Sequence, residues 1–362
     1  MAYPKLHIDL RKIEENARSI TELCAARGIA VAGVVKGCCA DEAVSRAVCA
    51  GGVAQVASSR LSQIKRVRAV CADVPTMLIR IPMLDEVEEL VRWCDYSLQS
   101  EDAVLQATNR AALAQNCRHN VILMYDVGDL REGKLTHDEV LQQALLVERE
   151  LPGLVLVGVA CNLNCFAAIS PSWENLSDLA ELAAKIESAL GRKLEIVSGG
   201  STTSIPMMLK EGLPQGINHL RVGEGILLAR DFGLFWDTVI PGLHSDTMML
   251  DAQVVEANVK PTRPIGVQSQ NGFGVTPEMI DRGNRARVIA AVGAADVGEV
   301  SQLTPVDSRL QVMGGSSDHI IVDTDASPGA YPVGSVLRFR LAYQAMLHAF
   351  LSEDVEKQYI NG

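Results

Sequence analysis

The 362-residue sequence has no cysteine after Cys165, no tyrosine between Tyr125 and Tyr331, no surplus of positive charge and no apolar run approaching a membrane span. Each absence removes a class of protein. A bilayer-spanning helix needs about 18 or more apolar residues in succession, so no membrane association is expected. With 33 basic against 44 acidic residues, the net charge of −11 lacks the basic footprint that nucleic-acid phosphates require. The nine cysteines and seven histidines contain no Cys-x-x-Cys and no His-x-x-x-His, so no metal is expected. The start, Met1-Ala2-Tyr3-Pro4-Lys5, has no signal-peptide core, and the cysteines are expected as reduced thiols of a soluble, cytoplasmic protein. Cys38 and Cys39 alone draw notice, with packing as the alternative to chemistry.

What is present suits a large folded enzyme. Hydrophobic residues make up 48% of the chain, and a mean hydropathy of +0.14 excludes a disordered one. The length exceeds a usual single core, which points to one large α/β barrel plus a smaller domain. From residue 5 to about 230, short apolar runs alternate with amphipathic helical stretches. Arg11 to Ala26 carries Ile13, Ala17, Ile20, Leu23 and Cys24 at helical spacing. Thr136-His137-Asp138-Glu139 has the capping-box pattern, and Ser170-Pro171 reads as the start of another helix with proline first. Strands are expected at 29–35, 53–57, 76–80, 95–98, 120–126, 155–160, 194–198 and 217–221. Eight such β/α units make a closed (β/α)8, TIM-type barrel over residues 1–235. The texture then changes: Ala252 to Val259, Arg287 to Val292, Arg309 to Met313, Ile320 to Thr324 and Val336 to Leu341 predict a C-terminal β domain over 236–362.

Lys36 follows the run Ile29-Ala30-Val31-Ala32-Gly33-Val34-Val35 and precedes Gly37. Small and β-branched residues of this kind form buried parallel strands, whose carboxyl ends carry the chemistry of a barrel. A lysine desolvated there has its pKa lowered toward a nucleophilic amine, which suits a Schiff base with pyridoxal phosphate (PLP). The alternative is a lysine snorkelling to water. Other polar or glycine-bearing clusters also follow predicted strands: 126–131, Cys161-Asn162, Ser198-Gly199-Gly200-Ser201-Thr202-Thr203 and Arg221-Val222-Gly223-Glu224. On one barrel face these converge. The serine and threonine hydroxyls with glycine amides suit a phosphate, although such turns are common. Arg221 and Glu224 read equally as a surface salt bridge when taken alone.

Taken together with His7-Ile8-Asp9-Leu10, Asp126-Val127-Gly128-Asp129-Leu130-Arg131-Glu132-Gly133, Gly315-Ser316-Ser317-Asp318-His319 and Phe339-Arg340-Leu341-Ala342-Tyr343, these segments resemble the alanine racemase-like, fold-type III PLP enzymes end to end, and within them the ornithine racemase group. The resemblance implies a PLP barrel with a C-terminal β domain, working as a homodimer with shared active sites. It implies that Lys36 carries PLP as a Schiff base and takes part in Cα proton abstraction. Ser201 and Thr202 are then expected at the phosphate, with backbone at Gly223 and Glu224 and the hydroxyl of Tyr343. Arg221 is expected at the pyridine nitrogen and Arg131 at the substrate carboxylate, where a guanidinium fork fits. Asn162 stands where alanine racemases have a histidine.

One departure stands out. The partner-donated tyrosine that serves alanine racemases as second base is absent from 266–274, and the family's tyrosine after the lysine turn is replaced near Ala40. Asp318, His319, Ser317 and Cys39 are the candidates for the other-face base. Asp318 also matches the acidic residue that holds the distal amine in related basic-amino-acid decarboxylases, and 316–319 reads otherwise as a polar turn. The function expected is a PLP-dependent racemase of ornithine or a similar basic amino acid. The alternatives are a decarboxylase or lyase on the same scaffold and a non-enzymatic PLP carrier; carriers of that kind lack the β domain.

Overall fold

The computed structural model describes residues 3–270, 272, 274–276 and 278–361. Asn271 and Phe273 of the segment lacking the tyrosine, and Met1 and Ala2 of the N-terminal start, lie outside the described residues. Residues divide into two compact units: Arg11–His244, and the residues up to Leu10 together with those from Ser245 onward.

The larger unit is a closed parallel barrel of β2 (Ala30–Val34), β3 (Gln55–Ser58), β4 (Thr76–Leu78), β5 (Tyr96–Gln99), β6 (His119–Met124), β7 (Leu154–Ala160), β8 (Ile196–Ser201) and β9 (His219–Val222). All eight fall on the expected runs. Successive side chains of a strand alternate faces, and Ala32, Val34, Ala57, Met77, Leu98, Ile122, Met124, Val157, Ala160 and Ile196 fill the barrel interior. Leu and Val from the other faces of β6–β8 pack against the surrounding helices, among them Leu176, Leu179, Leu182 and Ile186 of the helix Trp173–Leu190.

That helix corrects one expectation. It is capped by Ser172, whose hydroxyl accepts from Asn175 N while Asn175 Oδ1 accepts from Ser172 N. Pro171 therefore precedes the cap, and the reciprocal bonds explain why the start falls at Trp173. The Thr136–Glu139 box is present. A second correction concerns the thiols: Cys49 and Cys71 form a disulfide, their Cα atoms 6.6 Å apart where two neighbouring helices pack, a separation within bonding range.

The smaller unit is an antiparallel sheet of β10 (Met248–Pro261), β11 (Asn284–Ala290), β12 (Leu303–Pro305), β13 (Gln311–Gly315), β14 (Ile320–Asp323) and β15 (Val336–Leu341), in the order β12-β15-β10-β11-β14-β13. β1 (Lys5–Asp9) joins it, antiparallel to β10 and parallel to β16 (Glu356–Ile360). This pairing puts residues up to Leu10 with the C-terminal sheet, whereas the sequence order assigned them to the barrel segment. No helix of the described residues is long and apolar enough to cross a membrane.

Candidate active site

Lys36 stands two residues beyond Val34, where β2 ends, and is half-buried. A 3-10 turn, Lys36–Cys38, follows, and then Cys39 and Ala40 both adopt left-handed backbone (φ 52° and 53°). Two consecutive non-glycine residues there store strain. The turn is held by Ala40 N donating to Val35 O (2.9 Å) and by Asp41, which caps the next helix by accepting from Val44 N at 3.0 Å. Cys38 is buried against the Val35 carbonyl, and burial pushes its thiol up.

Among the described residues no hydrogen bond engages the Lys36 amine. Its pKa is lowered, first by burial and then by the Arg131 and Arg221 charges, against the pull of Cys165 and Glu132. The barrel thus gathers Lys36, Arg131 and Arg221 from β2, the loop after β6 and β9.

Arg221 is buried and touches only uncharged partners: Nη1 donates to Ser198 Oγ (2.5 Å), and Nη2 to Cys161 O (2.6 Å) and Asn162 Oδ1 (2.8 Å). Beneath it, His219 Nδ1 meets Ser198 Oγ at 2.8 Å and Nε2 meets Gln55 Oε1 at 3.2 Å. Burial and the Arg221 charge push His219 down to about 3, so the ring is neutral. One arrangement satisfies every atom: His219 donates from Nε2 to Gln55, Ser198 donates to Nδ1, and Arg221 donates to Ser198.

The loop after β6 is shaped by its own carboxylates. Asp126 Oδ1 accepts from Gly128 N (2.9 Å) and Leu130 N (3.1 Å). Gly133 has φ +121°, and a Cβ there would lie 2.7 Å from Asp126 N, so only glycine closes the turn. Asp129 is buried and reaches across to the loop after β7. Its oxygens accept from Cys165 N (3.1 Å), Phe166 N (3.0 Å), Ala167 N (3.1 Å) and Ile169 N (3.4 Å).

A second cluster lies at the ends of β8 and β9. Gly200 (φ +105°) leaves no room for a side chain, since a Cβ would meet Ser204 Oγ at 2.6 Å. Thr202 Oγ1 accepts from Gly225 N at 3.2 Å, tying the two loops together, and Ser201 Oγ lies 3.3 Å from Thr203 Oγ1. The helix Glu224–Leu227 starts just after Gly223, which packs against Val34 of β2. The Glu224 carboxylate turns to its own chain, Oε1 accepting from Arg230 N and Asp231 N at 2.8 and 3.1 Å.

Glu224 Oε2 is buried without a partner, and burial, then Asp231, pushes the carboxyl up to about 7. The folded state therefore binds this proton more tightly than the unfolded one. Stability falls as pH rises from the ordinary carboxylate value to about 7, by about 3 kcal/mol at most. Glu224→Gln should raise the thermal midpoint at pH 8 and lose that advantage below about pH 5. Equal shifts at both pH values would mean that ionisation is not the cost.

Tyr343 opens the helix Tyr343–Leu351, and Asp318 is exposed in the turn between β13 and β14; both belong to the smaller unit. Ser198, read with the phosphate cluster, instead meets Arg221 and His219; Glu132, His219 and Asp129 received no role from the sequence. Their signals were adjacency to Arg131 for Glu132 and, for His219, the two-residue spacing to Arg221 on one strand face.

The sequence profile of the alanine racemase N-terminal domain matches residues 8–231. The chain is 39% identical to an ornithine racemase of Acetoanaerobium sticklandii over 99% of its length and 100% of that protein's. It is 36% identical to a lysine racemase of Thermotoga maritima over 99% of each. In fold it is similar to the alanine racemase of a D-cycloserine-producing Streptomyces lavendulae, with a TM-score of 0.73 at 17% identity over 100% of this chain and 98% of that one. Barrel topology, the lysine-bearing strand end and relatives matched from end to end agree, and the chain belongs to the alanine racemase N-terminal domain family.

Proposed function

We propose that this protein is a PLP-dependent amino-acid racemase that interconverts the L and D forms of ornithine or a similar basic amino acid. The observation that carries the reading is the Lys36 amine, desolvated at the end of a barrel strand, with no hydrogen-bond partner among the described residues and two arginines in electrostatic reach. The residues present fit PLP: an amine without a hydrogen-bond partner for its aldehyde, side-chain-free backbone at Gly200 and Gly223 with the Ser201 and Thr202 hydroxyls for its phosphate, and a buried guanidinium at Arg221. Lys36 would hold the cofactor covalently, with Ser201, Thr202, the backbone of Gly223 and Glu224, and Tyr343 at its phosphate. Arg221, too basic to surrender a proton, would meet the ring nitrogen.

Bound PLP supplies an electron sink that acidifies the Cα–H bond. Arg131 fixes the amino acid by its carboxylate. Lys36 Nζ then takes the Cα proton on one face, and a second group delivers a proton on the other, which inverts the centre. The lowered pKa of Lys36 favours the neutral amine that this step needs. We assign the distal ammonium of the substrate to Asp318, whose carboxylate suits it, and leave the second base among Asp318, His319, Ser317 and Cys39. The working unit is a homodimer with shared sites.

The test is incubation with PLP and L-ornithine in deuterated water. D-Ornithine carrying Cα deuterium is the expected product, and Asp318→Ala should raise KM for ornithine more than for alanine. Carbon dioxide release without D-ornithine would overturn the racemase reading in favour of a decarboxylase.

A further inference from the structure

We propose that Glu132, which received no role above, is a positioning residue that sets Arg131 and Arg221 as one unit through Asn162. The inference rests on the reading of this barrel end as the racemase site and extends it to a residue that need touch neither cofactor nor substrate.

The geometry has two arms. In the first, Glu132 grips Arg131 side-on: Oε1 accepts from Nη2 at 2.7 Å and Oε2 accepts from Nε. A guanidinium has five N–H groups. Two are taken by Glu132, and those left on Nη1 and the outer side of Nη2 form the end-on fork that a ligand carboxylate requires. Without Glu132 the Arg131 side chain, more than a third exposed, would sample other rotamers and lose that presentation.

In the second arm, Asn162 Nδ2 donates to Glu132 Oε1 while Asn162 Oδ1 accepts from Arg221 Nη2 at 2.8 Å. The amide is thereby polarised from both ends. A flip would set its NH2 against the guanidinium and its oxygen against the carboxylate, so Glu132 fixes which end Arg221 meets. Arg221 has no carboxylate in contact among the described residues, and its other partners are a hydroxyl and a carbonyl. Glu132 is the carboxylate that acts on its charge, and the same carboxylate acts on Lys36 and Arg131.

The arms separate by mutation. Glu132→Gln removes the charge and one of the two acceptor oxygens and so weakens both, whereas Asn162→Ala leaves the Glu132–Arg131 pair intact and disturbs Arg221 alone. Glu132→Gln is expected to raise KM for L-ornithine about tenfold or more and to weaken PLP binding to the cofactor-free protein by a similar factor. Asn162→Ala should weaken PLP binding and leave KM within about twofold of the parent. A third readout needs no turnover: the pH dependence of Lys36 reductive methylation in cofactor-free protein, mapped by peptide mass. Its midpoint should move down in Glu132→Gln, which loses a nearby negative charge, and stay in place in Asn162→Ala.

Thermal midpoints of all three proteins separate positioning from folding. Lowered stability with KM, PLP affinity and Lys36 titration as in the parent would overturn the proposal, as would a KM rise in Asn162→Ala equal to that in Glu132→Gln. If the parent fails to racemise any basic amino acid, the racemase reading falls, while PLP affinity and Lys36 titration still decide the role of Glu132.

Discussion

Lys36→Ala should abolish racemisation, with a loss on the order of a thousandfold or more, because one amine is asked to hold the cofactor and to move the Cα proton. Borohydride treatment of the parent with PLP should fix the cofactor mass on the peptide containing Lys36, and the variant should take up none. Stability makes the expectation specific. The folded protein disfavours the charged amine, so its pKa is lowered on folding. Below the folded value the charge costs stability, and the cost fades as pH rises toward the unfolded lysine value. The cofactor-free variant should therefore melt no lower than the parent at pH 7, with any advantage shrinking toward pH 10. A variant that still racemises, or that loses activity only because it unfolds, ends the assignment.

Asp129→Ala should be the most destabilising single change in the loops around the site. Four backbone amides, of Cys165, Phe166, Ala167 and Ile169, give their protons to this one buried carboxylate. Truncation leaves donors without an acceptor and removes charge-assisted bonds, a loss of about 3 to 4 kcal/mol. Urea unfolding measures the total, and amide hydrogen exchange should rise through 161–169 first. Asp129→Asn keeps one oxygen and should fall about midway. Activity should drop in both, since the loop begins at Cys161 and Asn162, which receive Arg221. A loss under about 1 kcal/mol with unchanged exchange would show that the loop holds itself.

The barrel was legible because parallel strands buried on both sides are continuous apolar runs between helices, as in Val31 to Val35 and Leu154 to Ala160. The strands of the β unit that escaped notice are short or mixed: Leu303–Pro305 has three residues, and Glu356–Ile360 is largely polar. β1 was not expected as a strand, since its partners lie at the other end of the chain and no local pattern reports such pairing. Within the site, Lys36, Arg131 and Arg221 could be named from strand ends. Glu132 could not, since a glutamate beside an arginine reads as solvent-facing charge until the Asn162 contact is seen. Ser172 and Asn175 offered a capping pair as clear as that of Thr136, and Pro171 drew the boundary two residues early.

The hydrogen-bonded file Arg221–Ser198–His219–Gln55 has a fixed polarity, and that bears on where protons can travel. A Grotthuss pathway works only if each member can hand a proton on and then reverse. At one end sits a guanidinium that does not let go of its proton, and in the middle an imidazole that stays uncharged down to about pH 3. The file is therefore an insulator through the barrel floor. On the proposed reading, a proton taken up by Lys36 would not leave through that file.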